Sequence, residues 1–242
     1  MWFLWLYFIV IVFTVFFSIC TIISTIIFFP FSSKLASLVA RIWSKSILFF
    51  GGFKYEIKGL EKLDKTKSYI FAANHSSSLD IPLMIACLPY WLVPIAKIQL
   101  KRVPFLGWAM IAGGHVFVDR TNNEKAIQSI ESIKVSLTKR QRSILLFPEG
   151  TRTLNGKLNI FKSGGLSIGL ELGIPIVPVA IKGTYEALSK GSRKIKNSKI
   201  ELLIGPPIET AQFNKIDRKN LSSQVQAHVK ALGRFDVNKK NN

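Results

Sequence analysis

Residues 2–31 contain no charged side chain and are nearly all Phe, Ile, Val, Leu and Trp. As one helix they would run about 45 Å, more than the roughly 30 Å hydrocarbon core of a bilayer. Such a helix spans with tilt, or breaks near Pro30 and re-enters. A cleaved signal peptide fits less well, because the basic leading region is missing, the apolar part is too long and no small-residue cleavage site follows. Trp2, Trp5 and Tyr7 suit one membrane interface, and Lys34, Arg41 and Lys45 begin on the other side. That asymmetry predicts a chain held at the cytoplasmic membrane with its remainder on the cytoplasmic side.

Across residues 32–50, Leu35, Leu38, Val39, Ile42, Trp43, Ile47 and Phe50 recur at helical spacing among sparse basic positions. The pattern predicts a second helix, lying in the interface or packed on the first; a core helix of the following domain gives the same pattern. Gly51-Gly52 breaks it and marks a boundary. We therefore divide the chain into a membrane-anchoring helical segment (1–50), an α/β domain (51–237) and a polar tail (238–242). In the second unit, strands are predicted at 54–58, 68–72, 92–96, 116–118, 143–147, 176–181 and 200–204, and helices at 79–88, 123–138, 164–172 and 218–232. Such alternation predicts an α/β fold: a mostly parallel mixed sheet flanked by helices, with functional residues on loops beyond strand ends.

Thirty-three Lys and Arg against fourteen Asp and Glu give a net charge of +19, which implies an anionic partner. With 48% hydrophobic residues, that charge favours a membrane surface over nucleic acid. The basic run 182–199 carries only Tyr185 as an aromatic, which argues against a nucleic-acid platform. Cys20 and Cys87 have no metal-ligating neighbours and read as small buried hydrophobes, so neither a disulfide nor a metal site is expected.

Two polar clusters stand at predicted strand ends. In Asn74-His75-Ser76-Ser77-Ser78-Leu79-Asp80, a histidine precedes an aspartate by five residues at a strand-to-helix junction, with a serine near Ser78 as the expected cap. A carboxylate on Nδ1 would fix the imidazole tautomer and leave Nε2 to take a proton from a hydroxyl. Equally, Asp80 could serve only its own helix and His75 be an ordinary loop residue. Phe147-Pro148-Glu149-Gly150-Thr151-Arg152 offers backbone N–H groups, a hydroxyl and a guanidinium, a donor set for phosphate. Glu149 would steer Arg152 or bind a substrate hydroxyl; a plain structural Glu–Arg pair is the alternative. Lys97 and Arg120 offer further positive charge; His115 lacks a carboxylate at useful spacing, and His228 lies on a helix whose apolar face is Leu221, Val225, Val229 and Leu232, so both read as structural.

The succession NHSSSLD, GGHVFVDR, FPEGTR, IVPVAI resembles the four blocks of the glycerolipid acyltransferases, the 1-acylglycerol-3-phosphate acyltransferases, over about residues 55–205. The resemblance implies a catalytic base at His75 oriented by Asp80. It places Glu149, Gly150, Thr151 and Arg152 on the acyl acceptor, with Arg152 on its phosphate, and adds Arg120 and Lys97 as phosphate-binding positions. Gln99 stands where the family often has glutamate. The expected activity moves a fatty acyl group from an acyl-CoA or acyl carrier protein thioester to lysophosphatidate, giving phosphatidate, with no separate cofactor. Membrane lipids are the expected surroundings. Other acceptors, a hydrolase, and a non-catalytic basic binding protein are the rival expectations.

Overall fold

A computed structural model describes residues 2–28, 32–118 and 142–238. The apolar stretch forms helix α1 (Trp2–Ile27), and α2 (Ser32–Phe50) returns against it. Trp43 Nε1 donates to Thr14 Oγ1 at 3.2 Å, and Trp5 Nε1 to the Phe50 carbonyl at 3.3 Å, so the two helices run antiparallel. α2 also meets the following domain through Arg41, whose guanidinium donates to the carbonyls of Leu88 and Tyr90, both at 2.9 Å. Leu88 caps the C-terminus of the helix that ends at Cys87 and Tyr90 follows just beyond, so the cation sits where orphan carbonyls need a donor.

Seven strands follow: β1 (Tyr55–Lys58), β2 (Ile70–Ala73), β3 (Leu92–Lys97), β4 (Val116–Val118), β5 (Ser143–Leu146), β6 (Ile176–Lys182) and β7 (Ile200–Ile204). They form one sheet in the order β1-β7-β6-β2-β5-β3-β4, and only the β6–β7 pair is antiparallel. The sheet is thus mostly parallel and mixed, as expected. Among the described residues, the helices of the domain are α3 (Asp80–Cys87), α4 (Leu106–Ala112), α5 (Ser163–Leu172), α6 (Thr184–Ala187) and α7 (Arg218–Gly233). α4 and α6 were not anticipated. The helix expected at 123–138, like Arg120 and the end of the polar tail, lies outside the described residues.

Parallel strands covered on both faces are apolar on both, and β2 shows the division residue by residue. Phe71 and Ala73 belong to a core with Ile47, Leu48, Leu83 and Met84 from α2 and α3. Ile70 and Ala72 belong to a second core with Leu166, Leu221, Val225 and Val229 from α5 and α7. Phe71 is fully buried, and removing its ring would cost about 3–5 kcal/mol. The central strands β2 and β5 are parallel neighbours, so their C-terminal loops emerge side by side on one sheet edge.

Candidate active site

The loop after β2 turns out of the sheet because a side chain takes over the ladder. Asn74 follows the last strand residue, and its carboxamide accepts from Ile181 N at 2.7 Å and donates to Ile181 O at 2.9 Å. It supplies the hydrogen bonds another strand residue would make, and the main chain is released to present His75. Sequence inspection gave Asn74 no role.

His75 Nδ1 lies 2.7 Å from Asp80 Oδ2. Asp80 is fully buried. Its Oδ2 also accepts from Ser76 N and Ser77 N at 2.7 and 2.8 Å, and its Oδ1 from Thr184 Oγ1 at 2.6 Å. Every contact of this carboxylate is a donor, so Nδ1 carries the imidazole proton and Nε2 the free lone pair. Phe147 stacks on the imidazole with ring centroids 4.1 Å apart, fixing its plane. The expected serine side-chain cap is absent: Leu79 holds the cap position of α3 without one, and Asp80 instead gathers the amides of the turn. Ser77 Oγ accepts from Leu79 N and donates to Leu188 O at 2.6 Å, while residues 77 and 189 form a β-bridge. The segment 184–190 is thereby tied to the dyad loop at several points.

The loop after β5 meets the first at His75 itself. Glu149 Oε1 accepts from His75 N at 2.6 Å, Glu149 Oε2 accepts from Asn159 N at 2.9 Å, and Thr153 N donates to His75 O at 2.9 Å. Glu149 is buried, and burial raises its pKa to about 7 against the opposing pull of the His75 and Asn159 amides. The structure therefore turns Glu149 inward to clamp the main chain of the histidine, away from both Arg152 and the cavity. Gly150, at φ 76°, reverses the chain direction there, a conformation natural to glycine, and Thr151 and Arg152 face the opposite way.

A cavity of about 530 Å³ opens at this junction. His75, Ser78, Lys97, Arg152 and Lys190 are among its polar lining, and Phe17, Ala36, Ala40, Trp43 and Met110 among its apolar lining. Two of the three described basic positions here, Lys97 and Arg152, were anticipated; Lys190, from the basic run 182–199, was not. His115 also lines the cavity, with Nδ1 3.1 Å from Met110 O, and burial pushes its pKa down to about 4, so it is neutral; among the described residues no carboxylate orients it.

The Acyltransferase family model matches residues 54–182, more than half of the sequence and inclusive of both loops. The chain belongs to the acyltransferase family. Its relatives include 1-acyl-sn-glycerol-3-phosphate acyltransferases of Limnanthes alba, 33% identical over 76% of this chain and 66% of the relative, and of Saccharomyces cerevisiae, 33% identical over 74% and 59%. The human alpha form is 28% identical over 78% and 66%. The matched part of the chain thus spans under two thirds of these relatives. The crystal structure of the 1-acyl-sn-glycerophosphate acyltransferase PlsC from Thermotoga maritima superposes with a TM-score of 0.80 at 27% identity, covering 96% of this chain and 94% of that one. The agreement extends through the helical segment as well as the sheet.

Proposed function

We propose that the protein acylates lysophosphatidate to phosphatidate, taking the acyl group from a thioester of coenzyme A or an acyl carrier protein. The observation that carries this is one cavity lined by an oriented imidazole, by cationic side chains and by an apolar wall. Arg152 and Lys97, with Lys190 beside them, suit the phosphate of the acceptor. The wall from α1, α2 and α4 suits an alkyl chain of donor or acceptor.

In this mechanism Nε2 of His75 takes the proton from the free hydroxyl of the acceptor as that oxygen attacks the thioester carbonyl carbon. The C–O bond forms, the tetrahedral oxyanion collapses with cleavage of the C–S bond, and the departing thiolate recovers the proton from His75. Asp80 stabilises the imidazolium between the two transfers without receiving a proton itself. No covalent acyl-enzyme is needed. The separation of the roles of Glu149 and Arg152 also fits: one holds the base, the other the substrate.

The names and activities of the relatives support the acceptor assignment. α1 is long and apolar enough to cross a membrane, which supports association with the bilayer where both acceptor and product reside, and we place the catalytic domain on its cytoplasmic side. Purified protein given radiolabelled oleoyl-CoA or acyl carrier protein thioester, with lysophosphatidate, glycerol-3-phosphate or no acceptor, tests the assignment. Phosphatidate should form only with lysophosphatidate, and free thiol should appear only alongside it. His75→Ala should lower the rate by about 10²–10⁴ or more. Thiol release without acceptor would identify a hydrolase, and unchanged turnover in His75→Ala would remove the dyad from the mechanism.

A further inference from the structure

The segment between β3 and β4 presents an apolar outer face that the proposed chemistry does not use. Val103, Phe105, Trp108 and Ile111 are 40, 37, 54 and 47% exposed, and Phe105 and Trp108 pack ring to ring at 5.5 Å. Four large apolar side chains within nine residues are a patch, and water-facing surfaces rarely concentrate them so. Residues 105, 108 and 111 recur at the spacing of one helix face, whereas Leu106, Ala109 and Met110 on the other side of α4 line the cavity that reaches His75. Immediately before the patch stand the exposed cations Lys101 and Arg102.

The backbone beneath is stiff. Phe105 has φ 60° and ψ −61°, and Leu106 N donates to Pro104 O at 2.7 Å, which together make a tight three-residue turn of the strained kind. A non-glycine residue holds that conformation only where its surroundings impose it. Gly107 packs so closely on the preceding 3-10 turn (Ile98–Arg102) that a Cβ there would lie 2.4 Å from the Lys101 carbonyl oxygen. Phe105 and Trp108 are therefore held outward by a rigid support.

α4 packs against both α1 and α2, whose own outward faces carry Phe16, Ile19, Ile23, Leu38 and Ile42. The patch on α4 thus adjoins the apolar surface most suited to lipid. We propose that the segment 101–111 is a second membrane contact, in which Val103, Phe105, Trp108 and Ile111 enter the acyl boundary of an anionic bilayer while Lys101 and Arg102 hold its headgroups. Large aromatic and aliphatic groups with adjacent cations are the combination that binds an anionic lipid surface. Because the inner face of α4 is a cavity wall, this contact brings the cavity itself to the bilayer surface, where a lipid acceptor arrives.

The test uses full-length protein reconstituted in phosphatidylcholine vesicles containing phosphatidylglycerol, in a Cys20→Ser/Cys87→Ala background. Trp108→Cys is labelled with the environment-sensitive dye NBD; Lys230→Cys, exposed on α7 across the sheet from α1 and α2, is the reference, and Ile111→Cys repeats the measurement if the first variant does not fold. With phospholipid bearing a nitroxide near the top of its acyl chain, the label at 108 should lose about half of its emission or more, while the label at 230 keeps its own. Adding Lys101→Glu/Arg102→Glu should lower the quenched fraction, as should replacing phosphatidylglycerol with neutral lipid. Equal, water-like emission at 108 and 230 would overturn the proposal. A label at 108 that is shielded from water but untouched by the lipid nitroxide would mean that protein covers the face, and would overturn it too. The readout is optical and independent of turnover, so it stands whichever acceptor the enzyme uses.

Discussion

Replacing Glu149 by Gln changes the chemistry of one atom and almost none of the volume, at the point where the two loops are joined. Both carboxylate oxygens accept backbone N–H groups, from His75 and from Asn159. Ionised or neutral, a carboxyl keeps an acceptor lone pair on each oxygen, whereas a carboxamide offers one acceptor oxygen and one donor NH₂, so whichever way it lies, an NH₂ group faces an N–H. An unsatisfied buried donor costs about 1–3 kcal/mol, and the lost bond adds to it, giving about 2–4 kcal/mol. For a chain of this size that is a fall in Tm of about 5–15 °C.

The loss should also depend on pH, in a direction set by the burial of Glu149. Its pKa is raised from 4.5 to about 7, so the folded state holds the proton where the unfolded state has released it. This contribution is fully present below pH 4.5 and disappears as pH rises through about 7, a change of about 3 kcal/mol. Glutamine does not titrate, so the Tm gap between wild type and Glu149→Gln should be widest near pH 5 and narrow toward pH 8. Thermal unfolding in detergent, followed by circular dichroism from pH 5 to 8, measures it. A gap that stays constant or widens with pH would refute the buried, proton-holding carboxyl; no loss at pH 5 would refute the bridge. Because the clamp sets the position of the base, turnover at pH 7 should fall by about 10–10² as well.

Arg152→Ala should chiefly raise KM for the phosphorylated acceptor and leave KM for the thioester unchanged, since it removes a contact made in the ground state; steady-state kinetics with each substrate varied will show which moves. Asp80→Asn keeps the shape of the buried group but removes the charge that stabilises the imidazolium, so kcat should drop by about 10² or more in steady-state assays, and an unchanged kcat would remove Asp80 from the mechanism. Thr184→Val deletes the hydroxyl 2.6 Å from Asp80 Oδ1, and Thr184→Ser keeps it; the first should lower kcat and the second restore it, whereas equal losses would make Thr184 a packing residue. Ala40→Phe fills the apolar part of the cavity and should shift the preferred acyl chain toward shorter ones in a competition between thioesters of graded length.

What the sequence disclosed and what it withheld divide along the distance between partners. The His75–Asp80 spacing could be read because both members lie on one turn, five residues apart. The strands could be read because continuous apolar runs bounded by turn residues are what a sheet covered on both faces requires. Asn74 and Thr184 could not: their partners stand 107 and 104 residues away, and no local pattern reports such a bond. Lys190 was hidden in a basic run without periodicity. α4 escaped because Pro104, Gly107 and Gly113 punctuate it, and because its two apolar faces, one to the cavity and one outward, do not make the single stripe of a core helix. Glu149 and Arg152 were assigned together because they are three residues apart, yet the turn at Gly150 sends one into the protein and the other into the cavity. Strand-end loops of a parallel sheet share an edge by construction, so adjacency to the histidine loop was the natural expectation for the second cluster. Which of its side chains clamps the base and which faces the substrate depends on one positive φ angle, and that is a property of the folded backbone.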